Sequence, residues 1–110
     1  MVKKSNELYE KQAEILKALA HPIRLKIIEL LASGEKCVCE IFPAVKAERS
    51  NVSRHLASLL RAEIVACRKE GLKVFYNLKI SCANSFLSCC EKAIKQQIDS
   101  RIKILKGCKK

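Results

Sequence analysis

Cys37 and Cys39, separated by a single valine, are the residues of this chain whose type and spacing point most directly to chemistry. Thiolates are soft ligands that select soft ions. A cysteine near a helix N-terminus also loses its proton more readily, because the backbone dipole favours the anion. The pair therefore predicts a thiol site that binds a soft ion or senses redox state. The alternative is that both are small buried hydrophobic residues.

The spacing of the pair also predicts a conformational effect. Two residues apart on an ideal α-helix means a rotation of about 200°, so the two side chains diverge. Both sulfurs can hold one small ion only if the short helix unwinds or begins between them. We therefore expect ion binding to distort this helix.

Cysteine usage across the chain indicates a reducing compartment. The chain has seven cysteines, an odd number, and residues 1–7 contain no apolar run of the kind that a signal peptide requires. We therefore expect reduced thiols and a cytoplasmic location. No apolar stretch is long enough to span a bilayer, so no membrane partner is expected.

The positive charge predicts a polyanionic partner. Lysine and arginine total 22 against 11 acidic residues, a net charge of +11, and the excess lies after residue 45. Phosphate neutralisation by such a surface supplies most non-specific DNA affinity. The charge alone does not decide between three interpretations: a surface that binds nucleic acid, one that binds an anionic membrane, and one that is merely solvated.

The periodicity of apolar residues predicts one domain, residues 1–110, that is mainly helical. The expected helices cover about 6–19, 22–33, 39–45, 50–61 and 81–105, with Ser5 or Asn6 capping the first and Ser50 the fourth. The β-patterned runs 64–68 and 74–78 flank a glycine turn. The predicted fold class is therefore mainly α (α+β), a winged helix-turn-helix of five helices plus a two-stranded hairpin.

The fourth helix and the hairpin carry residues suited to DNA. One side of the helix is an apolar stripe: Val52, Leu56, Leu59 and Leu60. Its other faces carry small polar groups and arginine, which is what a recognition helix needs. The expected hairpin tip carries Arg68, Lys69 and Lys73, which suit phosphates or the minor groove.

The last helix is longer than a small core can cover. Its apolar line consists of Phe86, Leu87, Cys90, Ile94, Ile98, Ile102 and Leu105. We expect it to pair with the first helix and with its twin, in a homodimer built through the first and last helices. The alternative is that it folds back on its own monomer.

Four segments, in unbroken order within about residues 14–79, resemble the ArsR family of metal-sensing repressors. Residues 20–31 (AHPIRLKIIELL) resemble the family's second helix, and residues 37–41 (CVCEI) its Cys-Val-Cys-Asp-Leu metal motif. Residues 51–56 (NVSRHL) resemble its recognition helix, and residues 68–78 (RKEGLKVFYNL) its wing. The resemblance implies a dimeric winged helix that binds double-stranded operator DNA and leaves it when an inducer binds.

The resemblance also implies which residues face DNA: Ser50, Asn51, Ser53, Arg54 and His55. Ser53 and Arg54 would contact phosphate and base edges, where a bidentate arginine–guanine pair discriminates by about 1–3 kcal/mol. For His55 the alternative is packing or a structural hydrogen bond. His21, which precedes a proline at a helix start, is expected to be structural.

In the family's arsenite-responsive repressors, trivalent arsenic or antimony takes three thiolates, the third from a cysteine three residues after the second. Phe42 stands at that position here. Either two thiolates suffice, or a third comes from elsewhere in the same or the partner chain, the candidates being Cys82, Cys89, Cys90 and Cys108. Zinc is disfavoured because the family's zinc sensors use histidines and carboxylates on the last helix, which here has no histidine.

The remaining cysteines differ in what their positions predict. Cys90 lies on the apolar line and can be core, whereas Cys89 is offset from that line and more available. Cys108 lies in a basic tail, and Cys67, in the first wing strand, is expected to pack. Glu35 and Glu40, near the thiol pair, are interpreted as surface charges.

The implied function is a transcriptional repressor released from its operator by As(III) or Sb(III), because the ion and DNA favour different shapes of the protein. A thiol-redox, persulfide, cadmium or lead response on the same fold stays open, as does a non-specific basic architectural protein. An enzyme with a catalytic cofactor is not expected. The chain has no Cys-x-x-Cys, no glycine-rich phosphate loop and no paired acid near a histidine.

Overall fold

Residues 5–107 of the chain are described by a computed structural model. Side chains cap the N-termini of its first two helices. The Ser5 hydroxyl accepts the Leu8 N–H at 3.2 Å, and Pro22 lies in the first turn of the second helix, both as expected. The described elements are α1 (Asn6–Leu19), α2 (Pro22–Leu31), β1 (Lys36–Cys37), α3 (Val38–Val45), α4 (Arg49–Arg61), β2 (Val65–Glu70), β3 (Lys73–Leu78) and α5 (Cys82–Leu105). The predicted fold class is confirmed.

The start of α4 differs from the prediction. Its N-cap residue is Glu48, and no side chain caps it, so the prediction of Ser50 as the cap was wrong. The physical reason is the turn at Lys46, which ends α3 in the left-handed conformation with φ 57°. After that turn the chain resumes helical geometry at Arg49, and Ser50 lies exposed in the first turn.

A Schellman-type turn ends α4. Glu63 takes the left-handed position that glycine usually occupies, with φ 60°. The Glu63 N–H donates to the Leu60 carbonyl and the Ile64 N–H to the Leu59 carbonyl, both at 3.0 Å. The Ile64 carbonyl then accepts the Lys79 N–H at 2.8 Å. The end of the helix is therefore bonded directly to the segment that leaves the hairpin.

The wing contains one strand more than predicted. β2 and β3 pair antiparallel along their whole length, and the turn between them begins with Gly71 at φ 64°. On the other side of β3 lies β1, with Lys36 opposite Tyr76 and Cys37 opposite Phe75. The sheet order is β1-β3-β2. The two residues of β1 are too few to show the alternation by which strands are predicted.

The core lies between α2, α3, α4 and the start of β2. Its fully enclosed side chains are Ile27, Ile28, Ile41, Leu56, Leu59, Ile64, Val52 and Val65. Burying one such side chain stabilises the fold by about 1.5–3 kcal/mol. The predicted stripe of α4 is confirmed except for Leu60, which is 36% exposed because it lies at the edge of the buried face.

The long helix α5 extends beyond this core. Ala83 is its buried residue, Leu87 is half-buried, and its remaining large apolar side chains are exposed: Phe86, Ile94, Ile98, Ile102, Ile104 and Leu105. The radius of gyration is 17.9 Å, whereas a compact domain of this size has about 13 Å. The alternative that α5 folds back on its own monomer was therefore wrong for most of its length. Among residues 5–107, no helix is long and apolar enough to cross a bilayer.

Candidate nucleic-acid interface and thiol site

The first two turns of α4 bring together four of the residues predicted to face DNA. Ser50, Ser53 and Arg54 are exposed, and Asn51 is half-buried. The Arg54 guanidinium donates a hydrogen bond to the Asn51 side-chain oxygen. The opposite face of the helix is held in the core, so these polar groups are presented on a rigid element. Their contact with DNA remains a prediction.

His55 is held by a hydrogen bond within the protein. Its Nδ1 accepts the Arg24 Nε–H at 3.0 Å, and its ring centroid lies 4.1 Å from that of His21. Burial lowers the pKa of His55 below its ordinary value of 6.5, and the nearby His21, Arg24 and Arg54 lower this pKa further. The structural hydrogen bond considered from the sequence is therefore present, while a DNA contact by His55 is still only predicted.

The structural role expected of His21 is confirmed. It is the N-cap residue of α2, and its Nδ1 accepts the Ile23 N–H at 3.1 Å. The side chain thus satisfies one of the free N–H groups at the helix start.

In the wing, the structure separates Arg68 from the two lysines. Lys69 and Lys73 are exposed beside the turn, whereas Arg68 lies farther back on β2 and is paired with carboxylates. Arg68 bonds to Glu35 at 2.9 and 2.8 Å and to Glu70 at 2.8 Å. The placement of Arg68 at the tip was wrong, because β2 continues to Glu70 and Arg68 lies within the strand, opposite Phe75. DNA contact by Arg68, Lys69 and Lys73 remains a prediction.

Glu35 is more than the surface charge that the sequence suggested. The hydrogen bond from Arg68 lowers the pKa of its carboxyl, and the same contact raises the pKa of Arg68. The Arg68 guanidinium also lies 4.6 Å from the centroid of the Phe75 ring. The pair joins the turn before β1 to the wing, a contact between residues far apart in the sequence.

Cys37 is the N-cap residue of α3 and is 5% exposed. Its Sγ accepts the Cys39 N–H at 3.2 Å, and its own N–H donates to the Glu40 carboxylate at 2.9 Å. The two bonds form a capping box in which sulfur replaces the usual hydroxyl oxygen. Glu40, interpreted from the sequence as a surface charge, therefore has a defined role in starting α3.

The divergence expected for Cys37 and Cys39 does not occur. Cys37 has extended backbone angles, φ −70° and ψ 146°, so α3 begins between the two cysteines. Their Cα atoms are 5.1 Å apart, and their sulfurs meet as a disulfide. Cys39 is exposed. The pair can therefore act together without the unwinding of α3 that an ideal helix would require.

A third ligand is not brought to this pair in the described part of the chain. Among residues 5–107, no group of three or more His, Cys, Asp or Glu side chains is arranged to hold a metal ion. Cys82, Cys89 and Cys90 are exposed on α5, and Cys108 lies outside the described residues. Cys90 is not core, because α5 leaves the core before reaching it. Cys67 is also exposed, so the expectation that it packs was wrong.

A groove of about 400 Å³ connects the thiol pair to the DNA-facing elements. It runs between α3 and the wing, and its lining includes Cys37, Cys39, Phe42, Arg49, Leu72 and Lys73. The Arg49 guanidinium lies 5.3 Å from the centroid of the Phe42 ring. Sequence reasoning missed Arg49, although a basic residue at the start of a recognition helix is a recognisable signal.

The chain is similar to bacterial transcription regulators. A family model described as "Bacterial regulatory protein, arsR family" matches residues 21–66. An uncharacterized HTH-type transcriptional regulator of Mycobacterium tuberculosis, Rv0081, is 34% identical over 102 residues, covering 92% of this chain and 90% of the relative. The arsenical resistance operon repressor of Staphylococcus xylosus is 39% identical over 70 residues, covering 64% of this chain and 67% of the relative.

Solved structures of such regulators have the same architecture. The crystal structure of Rv0081 has a TM-score of 0.74 at 34% identity and covers 89% of this chain and 99% of the other. A solution structure of a homodimeric winged helix-turn-helix DNA-binding domain from Mycobacterium bovis, described as a possible ArsR-family regulator, has a TM-score of 0.72 at 26% identity. It covers 91% of this chain and 95% of the other.

Proposed function

Since this chain belongs to the arsR family of bacterial regulatory proteins, we propose that it leaves its operator when trivalent arsenic or antimony binds the thiolates of Cys37 and Cys39. It is a winged helix-turn-helix transcriptional repressor of the ArsR/SmtB type and not an enzyme. The observation that carries the proposal is the meeting of the two sulfurs where β1 passes into α3.

The donor set fits a soft ion. Once reduced, two sulfurs that lie this close together offer adjacent soft ligands. Their position in the first turn of α3 favours the thiolate form, which is the form that binds. The arsenical resistance repressors of Staphylococcus xylosus and Staphylococcus aureus, 39% and 37% identical over 70 residues, support this choice of ion.

The capping bond of Cys37 supplies a route from ligand binding to DNA release. In the structure, its Sγ accepts the Cys39 N–H and caps α3. If the bound ion draws this sulfur away from the helix start, that N–H loses its acceptor. Losing an N-cap costs about 0.5–2 kcal/mol. This is similar in size to the 1–3 kcal/mol by which two ligands of an allosteric protein typically oppose each other.

The position of Cys37 carries this effect to both DNA-facing elements. Cys37 pairs with Phe75 in the wing, and α3 packs against the recognition helix α4. A change in the first turn of α3 would therefore alter two contacts at once, the pairing of Cys37 with the wing and the packing of α3 against α4. In this mechanism, loss of the N-cap of α3 takes the place of the unwinding of α3 that was expected from the sequence.

We also propose that the repressor acts as a homodimer on double-stranded DNA in the cytoplasm. α1 and α5 both expose large apolar side chains, among them Leu16 and Ile98. Burying both faces between two copies would place two recognition helices on successive half-sites. A reducing compartment keeps the two thiols able to bind the inducer.

A second function, a thiol redox switch, is favoured by the pairing of the Cys37 and Cys39 sulfurs as a disulfide. In this reaction the two thiols give up two protons and two electrons to an oxidant such as a peroxide, which is reduced to water. A four-thiolate cadmium or lead site has less support, because within residues 5–107 no third ligand accompanies the pair.

The test uses duplexes selected from random-sequence DNA by the reduced protein, with binding followed by fluorescence anisotropy. Arsenite is added in a phosphine reductant, which does not compete as a dithiol would. We expect arsenite to release the wild type and the control variant Cys67→Ser, whose thiol is exposed in the wing. The variants Cys37→Ser and Cys39→Ser should stay bound. Normal release of both would refute the site assignment.

A second arm separates the two functions. Hydrogen peroxide is added to the same complexes without arsenite and without reductant. If peroxide dissociates the wild type while arsenite leaves it bound, the redox function replaces the metalloid function. If arsenite dissociates the reduced protein, the metalloid function stands.

A further inference from the structure

The Arg24 side chain joins three helices of the DNA-binding unit. Arg24 belongs to α2, and its Nη1 donates to the Ala18 carbonyl in the last turn of α1 at 2.9 Å. Its Nε donates to His55 Nδ1 on the recognition helix α4 at 3.0 Å. One guanidinium therefore fixes the position of α4 relative to α1 and α2.

This arrangement sets the protonation state of His55. A guanidinium only donates hydrogen bonds, so the Nδ1 that receives one must be without a proton. In the neutral ring the proton then lies on Nε2, which is available as a donor. Protonation of Nδ1 would remove the acceptor and place a second cation against Arg24.

The surroundings of His55 do not compensate such a charge. The groups that act on it are His21 and Arg24 from the α2 side and Arg54 from its own helix, and the Ala18 carbonyl of α1 is bonded to Arg24. Within residues 5–107, no carboxylate forms an ion pair with His55. The pKa of His55 is lowered, first by burial and then by these basic neighbours.

We propose that Arg24 is a positioning residue for DNA recognition, which holds α4 through the unprotonated Nδ1 of His55, so that acidification loosens the recognition helix and weakens operator binding. The proposal rests on the family's DNA-binding function and is independent of the thiol inducer. It also reconciles the two roles considered for His55, because the bond from Arg24 at Nδ1 leaves the Nε2 proton available to DNA.

The test compares two substitutions that each preserve one ring nitrogen. His55→Asn places an amide oxygen near the Nδ1 position, keeps the acceptor for Arg24 and cannot be protonated. His55→Gln reaches toward the Nε2 position and loses that acceptor. Affinity for the selected duplex is measured at about pH 7.5 and about pH 5.5, with random-sequence duplex as competitor to remove the general effect of charge.

We expect the wild type to lose less than about tenfold in specific affinity at the lower pH, because the pKa of His55 lies below 6.5 and only part of the rings are protonated at that pH. His55→Asn should lose much less on acidification. His55→Gln and Arg24→Lys should bind more weakly already at neutral pH. His21→Asn, which keeps the cap of α2 and removes the neighbouring ring that lowers the pKa of His55, should be at least as acid-sensitive as the wild type.

Three results would overturn the proposal. One is equal affinity of the wild type at both pH values. Another is acid sensitivity that survives in His55→Asn but disappears in His21→Asn. The third is full neutral-pH binding by His55→Gln together with weak binding by His55→Asn, which would assign His55 to DNA contact alone. Circular dichroism at each pH checks that the variants are folded. A wild type that binds no DNA at any pH would instead refute the repressor function.

Discussion

Arg68 and Glu35 form a bidentate pair, with bonds of 2.9 and 2.8 Å that join the wing to the turn before β1. The carboxylate of Glu70 also bonds this guanidinium, at 2.8 Å. The charge of Arg68 is therefore largely neutralised before DNA arrives. Beside the turn, Lys69 and Lys73 form no ion pair with any residue of the described range 5–107.

The salt dependence of DNA binding should reflect this difference. Each phosphate contact contributes about 0.9 to the slope of log affinity against log salt concentration. Lys73→Gln should lower the slope by about one, whereas Arg68→Gln should change it little. Titrations of a labelled duplex at several salt concentrations measure both slopes. A drop of about one for Arg68→Gln would show that this guanidinium leaves Glu35 for a phosphate.

The sulfur cap of α3 predicts a stability difference between two substitutions of one residue. Cys37→Ser keeps an acceptor for the Cys39 N–H, whereas Cys37→Ala removes it. We expect Cys37→Ala to lower the free energy of unfolding by about 0.5–2 kcal/mol relative to Cys37→Ser. Urea denaturation under reducing conditions measures the difference. Equal stability of the two variants would mean that the sulfur does not act as a cap.

The recognition helix provides a matched pair of leucines for testing its packing. Leu56 is 2% exposed, and Leu60, one turn further on, is 36% exposed. Leu56→Ala should cost about 2–5 kcal/mol, as expected for a large core side chain cut to alanine. Leu60→Ala should cost clearly less. Thermal or urea unfolding monitored by circular dichroism compares them, and a similar loss from both would indicate that α4 is rotated in solution.

The exposed apolar line of α5 predicts dependence on a partner copy. Ile98→Glu places a charge in that line and should shift the protein toward a monomer with weakened operator binding. Gln96→Glu, a charge change on the other side of the same helix, is the control and should leave the dimer intact. Sedimentation velocity over a range of concentrations measures the association. A dimer that persists in Ile98→Glu would exclude this part of α5 from the interface.

The parts of the fold predictable from the sequence are those set by local signals. The Ser5 cap, Pro22 in the first turn of α2, the glycine turn of the wing and the stripe including Leu56 were all found at their expected places. Each depends on residues within one or two turns of each other. For the same reason the existence of helices was predicted better than the boundary of α4, which depends on the turn at Lys46.

The parts that could not be predicted depend on contacts between distant residues. β1 is a strand only because β3 pairs with it. Arg68 reaches Glu35 across 33 residues of sequence, and Arg24 reaches His55 across 31. In the thiol site the residue types were evident, but their geometry was not, since it depends on the extended backbone of Cys37.

The bond between the Ile64 carbonyl and the Lys79 N–H has a consequence for how the repressor responds. Together with the ion pair of Glu63 and Lys79 at 3.0 Å, it fastens the exit of α4 to the base of the wing. The two elements predicted to contact DNA are thus joined at their base. A change at Cys37 should therefore move α4 and the wing together. We expect DNA to be released in a single step, without an intermediate in which only one of these elements stays bound.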